Sequence, residues 1–144
     1  MKCILIHKSN PLHTQLQDTL VKNGHDITVL DYTGATTGYE LYQTVAAADP
    51  DRVFTLDLAG FNILTDTDDI AYVNLSCPNA HILCKPFSPA ELACLGGKLS
   101  LAMFFYCFAP ETYNHLAAHC PDIPYLKHVA GFAEALADWE AELR

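Results

Sequence analysis

The sequence predicts an α/β fold: a three-layer, Rossmann-like, doubly wound parallel sheet of about six strands with helices on both faces. Three observations carry this expectation. Short β-rich apolar runs alternate with helix-period segments along the 144 residues, and such alternation with short connections builds parallel strands and right-handed crossovers. The strand runs lack strict in-out alternation, as do strands covered on both faces. Hydrophobic residues make up 51% of the chain and charged residues 17%, so apolar side chains suffice for a core. A chain of this length buries roughly 68–70% of its unfolded surface. Residues 1–144 are read as one Rossmann-like domain.

The elements follow in order. Lys2 to His7 is a β-rich first strand. Asn10-Pro11 offers an N-cap and a proline at the first helical position. Leu12, Leu16, Leu20 and Val21 then recur at helical spacing until Gly24 ends the helix. Ile27 to Leu30 is a second strand, Thr33 to Gly38 a loop, and Tyr39 to Ala48 a second helix stopped by Asp49-Pro50-Asp51. Arg52 to Asp57 is the third strand. A loop from Leu58 leads to a short helix opened by Asp68-Asp69, and Ala80 to Cys84 is the fourth strand. Ser88 caps a helix with Pro89 at its first position, and Gly96-Gly97 ends it. The apolar run Leu99 to Phe108 is rich in aromatics and reads as a strand. Pro110 opens a helix through His119. Tyr125 to Val129 is a last strand and Phe132 to Leu143 a last helix, with Phe132, Leu136, Trp139 and Leu143 on one stripe.

Composition excludes several function classes. Eight Lys and Arg lie scattered among seventeen acids, for a net charge of −9. A nucleic-acid groove needs clustered cations, and an anionic membrane repels this balance. The longest apolar run falls well short of the roughly 20 residues that span a bilayer. No secretory leader is read at the N-terminus. Six cysteines occur without a C-x-x-C pair, mostly in apolar stretches, and are read as reduced thiols of a cytoplasmic protein.

In a doubly wound sheet, ligands sit beyond the carboxyl ends of the strands. The first strand-helix turn, His7-Lys8-Ser9-Asn10-Pro11, has no glycine, so a dinucleotide is not expected there. No cofactor is expected elsewhere. His115 and His119 share a helix face but lack the Glu of a zinc-protease motif, and Asp66, Asp68 and Asp69 fit no EF-hand. No metal site is expected.

Asp57 at one strand end and Lys85-Pro86-Phe87 at the next resemble a response-regulator receiver. In receivers an Asp takes the phosphoryl group, acids after the first strand hold Mg²⁺, and a Lys before Pro contacts the phosphate. Two departures count against that assignment. His7-Lys8-Ser9 stands where the acids should be, and residues 58–84 are too few for the extra strand and helix that receivers place before the Lys. The simpler expectation is that the Asp57 carboxylate caps backbone N–H groups of the following turn.

Three stretches resemble a different family: residues 51–61, 75–83 and 99–107. They contain Phe54-Thr55-Leu56-Asp57 before Gly60-Phe61, Cys77-Pro78-Asn79-Ala80-His81, and an apolar strand. They look like the N-terminal, acceptor-side half of GT-B-type glycosyltransferases of the spore-maturation-protein-like group. That resemblance implies a domain without independent catalysis, whose second half would come from a partner chain or another copy. By position it also implies a cleft near Asp57, Gly60, Phe61, His81 and Lys85. The family's H-G-G turn is replaced here by His128-Val129-Ala130-Gly131-Phe132, which weakens any catalytic carry-over and leaves the catalytic residues unassigned. The alternatives are a receiver-like regulatory or interaction module without phosphotransfer, and a small enzyme using Asp57 or His81 in acid-base chemistry.

Overall fold

A computed structural model describes residues 1–31, 38–59, 77–93 and 104–143. The strands are β1 (Lys2–His7), β2 (Asp26–Asp31), β3 (Arg52–Leu56), β4 (Asn79–Leu83), β5 (Phe104–Cys107) and β6 (Leu126–His128). All pair in parallel in the order β2-β1-β3-β4-β5-β6. The described helices are α1 (His13–Lys22), α2 (Gly38–Ala48), α3 (Pro89–Ala93), α4 (Pro110–His119) and α5 (Phe132–Glu142).

The sheet is covered on both sides, so its strands are apolar on both. On one face Ile4, Ile6, Val53 and Phe105 pack against Leu41 and Val45 of α2, Leu92 of α3 and Leu116 of α4. On the other, Leu5, Phe54, Leu56 and Tyr106 pack against Leu16 and Leu20 of α1 and Phe132, Ala135, Leu136 and Trp139 of α5. Leu16 and Leu20 are fully buried, and truncating either to Ala would cost roughly 2–5 kcal/mol. Of the expected α1 stripe, only Val21 is exposed. The C-terminal stripe closes on this chain's own sheet: Trp139 meets Phe54 edge-on at 4.9 Å and Arg52 lies over its ring.

The first helix starts later than its sequence suggests. Asn10 does not cap it; α1 begins at His13. The Asn10 side-chain oxygen accepts the Leu12 N–H at 3.0 Å, a local turn that competes with helix. Gly24, at φ +87°, ends the helix, where a left-handed residue is needed. Ser88 and Glu91 exchange backbone-to-side-chain hydrogen bonds at 3.2 Å each, a reciprocal cap for α3. The expected loop at 33–37 and the short helix from Asp68 lie outside the described residues. So do Gly96-Gly97 and the first part of the run from Leu99.

Strand order reverses at β1: the chain moves outward to β2, then returns to β3 on the other side of β1. The carboxyl ends of β1 and β3 therefore flank the crevice where this architecture places ligands.

Candidate functional site

At that crevice lies a cleft of about 510 Å³, lined by residues 8–11 after β1, by Leu56 to Ala59 at the end of β3, and by Lys85. Asp57 is its hub. One carboxylate oxygen, Oδ1, accepts the backbone N–H groups of Cys84 at 2.7 Å and Lys85 at 3.2 Å. The other, Oδ2, accepts the Asn10 side-chain amide at 2.9 Å. The backbone N–H of Asp57 donates to Ile82 O at 2.9 Å. The cap that Asp57 forms thus lies on the turn after β4, not on its own following turn. Asp57 and Leu58 both take left-handed backbone, at φ +51° and +61°. Asp tolerates this; Leu rarely does, so the turn stores strain of order 1–3 kcal/mol.

Lys85 reaches Asp57 with its backbone. Its ammonium instead lies 3.8 Å from Glu91 and 4.8 Å over the Phe87 ring. The Phe87 N–H donates to the buried Thr112 hydroxyl at 3.0 Å, tying this turn to α4. Cys84, beside Asp57, has its thiol pushed up to about 12 by burial and then by the Asp57 charge. It is therefore a poor nucleophile.

Asn10 is gripped from both sides. Its backbone N–H donates to His7 Nδ1 at 3.0 Å, and its carbonyl lies 2.6 Å from His13 Nδ1. The two imidazoles stack at 4.0 Å with a 12° tilt. The Ser9 N–H donates to Asp31 Oδ1 at 2.9 Å. Sequence reasoning put His7 to Asn10 among the strand-end positions where a ligand would sit, but gave neither Asn10 nor the histidine pair a role there and did not reach His13. The only available signal was their position after the first strand.

His81 is elsewhere. It sits in mid-β4, fully buried, with Nδ1 2.6 Å from Thr55 Oγ1 and Nε2 3.0 Å from Asn79 Oδ1. Burial drives its basicity down to about 3, so it is neutral at physiological pH. It neither lines the cleft nor shares a site with Asp57, and an Asp57/His81 acid-base pair is geometrically absent. Gly60 and Phe61 lie outside the described residues. His115 and His119 face each other at 4.6 Å. Among the described residues no group of three His, Cys, Asp or Glu could hold a metal, and no helix is long and apolar enough to cross a membrane. The acids at 66, 68 and 69 are outside those residues.

No protein-family model and no curated protein sequence matches the chain. Solved structures do. A solution structure of a response regulator protein from Burkholderia multivorans superposes with a TM-score of 0.51 at 17% identity, covering 99% of this chain and 94% of that one. The chemotaxis response regulator CheY4 of Vibrio cholerae matches at TM-score 0.46 and 18% identity, over 85% of this chain and 98% of that one. At these identities the first likeness establishes fold alone: a parallel α/β sheet of receiver type. This corrects the glycosyltransferase resemblance, since the neighbours are receivers and not GT-B halves. The resembling stretches were strand cores and proline turns, which any parallel sheet covered on both faces requires. The two departures from the receiver pattern are differences of site chemistry and spacing; they do not exclude the fold.

Proposed function

We propose that this chain is a receiver-like regulatory or interaction module without phosphotransfer, acting in the cytoplasm as one domain over residues 1–144. The observation that carries the reading is the state of Asp57. Both carboxylate oxygens already accept hydrogen bonds, Oδ2 from Asn10 and Oδ1 from the Cys84 and Lys85 backbone, and these hold the group in place against β1 and β4. A phosphoryl acceptor also needs a cation to balance charge on the incoming group. The end of β1 and the turn after it supply His7, Lys8 and Ser9, and hard divalent cations prefer carboxylate and carbonyl oxygen. Lys85 follows β4, the strand next to β3, one strand earlier than the receiver pattern places its lysine. The same hydrogen bonds tie the ends of β1, β3 and β4 together around the cleft. Regulation would then run through a partner chain or a second copy docking there.

The test is incubation with acetyl phosphate and Mg²⁺, read by intact mass. No phosphoryl mass gain is expected. A gain that disappears in Asp57→Asn would overturn the reading.

A further inference from the structure

We propose that the β1–α1 turn is a pH-sensitive latch: protonation of His7 releases Asn10, and Asn10 in turn releases Asp57. The inference deepens the proposed function. It rests on that reading for the meaning of the change at the cleft; the change itself is argued from hydrogen-bond geometry and the surroundings of His7.

The argument starts from proton positions. An N–H must donate, so His7 Nδ1, which receives the Asn10 N–H at 3.0 Å, is bare and its ring proton sits on Nε2. A carbonyl must accept, so His13 Nδ1, 2.6 Å from Asn10 O, carries its proton. The stacked rings therefore hold the two ends of one residue's backbone in opposite tautomers. The Asn10 side chain is engaged at both ends as well: Oδ1 accepts from Leu12, and Nδ2 donates to Asp57.

The two histidines differ in what a second proton does. His13 can become imidazolium and keep donating to Asn10 O. His7 cannot. A proton on its Nδ1 would face the Asn10 N–H, donor against donor, and that hydrogen bond must break. His7 is also 3% exposed, so water cannot readily replace the lost partner. Stacking adds to the conflict, since an imidazolium on either ring opposes a second one 4.0 Å away.

The charged and titratable groups around His7 set the range. From α1, His13 disfavours the cation. From the end of β2, the Asp31 carboxylate favours it. From the end of β3, Asp57 is reached through Asn10; Lys8 and Lys85 line the same cleft. Burial, then His13, outweigh Asp31 and hold His7 below the ordinary imidazole value of 6.5. The latch is therefore closed at neutral pH and opens in acid, below the ordinary imidazole value. Opening removes the only side-chain donor on Asp57 Oδ2 among the described residues, leaving that oxygen to accept from whatever enters the cleft.

The experiment is a pH titration of the intact chain by NMR from pH 7.5 downward. The His7 ring should titrate below 6.5. The Asn10 backbone and side-chain amides and the Asp57 carboxylate carbon should move with the same midpoint. The Asn10 protection factor against hydrogen exchange should fall about tenfold per pH unit below 6.5, one proton's worth, until His7 is fully protonated. His7 is buried and His7→Gln could unfold, so His13→Gln is the second variant. Losing the stacked neighbour should raise the shared midpoint. Asn10 and Asp57 signals that stay constant through the His7 titration would overturn the latch, as would a His7 ring that stays neutral until the chain unfolds. Phosphorylation at pH 7.5, where the latch is closed, would overturn the proposed function and leave the latch standing.

Discussion

Asn10 donates its side-chain amide to Asp57 at 2.9 Å across 47 positions of sequence. This bond joins the turn after β1 to the end of β3, the two strands between which the winding of the sheet reverses. Asn10→Ala would strip one donor from Asp57 and one acceptor from the Leu12 N–H. We expect a loss of about 1–3 kcal/mol, measured by urea unfolding at neutral pH. An unchanged midpoint would show that water replaces both bonds.

Ser9 is exposed and takes left-handed backbone at φ +46°. Ser9→Gly removes the Cβ clash and keeps the backbone N–H that donates to Asp31. The gain is reduced by the greater freedom of glycine in the unfolded chain. A net stabilisation of up to about 1 kcal/mol is expected in thermal melts, and a destabilisation would count against the turn geometry.

Trp139 is 1% exposed between Phe54 and Arg52. Trp139→Ala should cost roughly 3–5 kcal/mol without altering the sedimenting mass. A normal melt with weakened self-association would instead place the stripe at an interface.

Asp138 on α5 accepts the Tyr106 and Tyr125 hydroxyls at 3.0 and 2.6 Å and the Lys127 ammonium at 2.6 Å. Burial alone would raise its pKa; the hydrogen bonds from Lys127, Tyr125 and Tyr106 outweigh burial and hold it below the usual 3.8. A depressed carboxylate stabilises the fold above its unfolded value and loses that contribution as pH falls through the folded one. Asp138→Asn should therefore destabilise by about 1–3 kcal/mol at pH 7. The gap from the parent chain should narrow below pH 4 in denaturation curves collected across pH.

His81 has the same sign with a different group. Its imidazole stays neutral down to about pH 3 in the folded chain, whereas the unfolded chain binds a proton near 6.5. Stability from this residue is full above pH 6.5 and falls by about 1.4 kcal/mol per pH unit below it. The His81 ring resonances should be flat from pH 8 to pH 5. A midpoint in that window would mean the ring reaches solvent.

Elements announced by local chemistry were legible. Lys2–His7 and Pro110–His119 match their expected bounds residue for residue, the first from an apolar run, Cys3 to Ile6, and the second from a proline that suits the first turn of a helix and not its interior. The site was half legible. Asp57 and Lys85 could be placed at strand ends from spacing, and they do meet. The partner that holds Asp57, Asn10, read as a helix cap, because capping and long-range donation ask for the same side chain. His81 read as a cleft residue because a polar residue inside a strand covered on both faces carries no sign of its depth. The family resemblance failed for a related reason: strand cores and proline turns record that a sheet is parallel and buried, not which protein it serves.

The last helix lies beside the first. Glu140 of α5 accepts from Asn23, and its Oε1 lies 3.1 Å from the His25 ring; both residues follow α1. Trp139 shares the apolar layer with Leu16 and Leu20. During synthesis the ribosome therefore delivers α1 long before α5. The strands that share its layer through Leu5, Phe54 and Leu56 come off the ribosome first, so residues 132–142 complete a layer that the sheet and α1 have already begun.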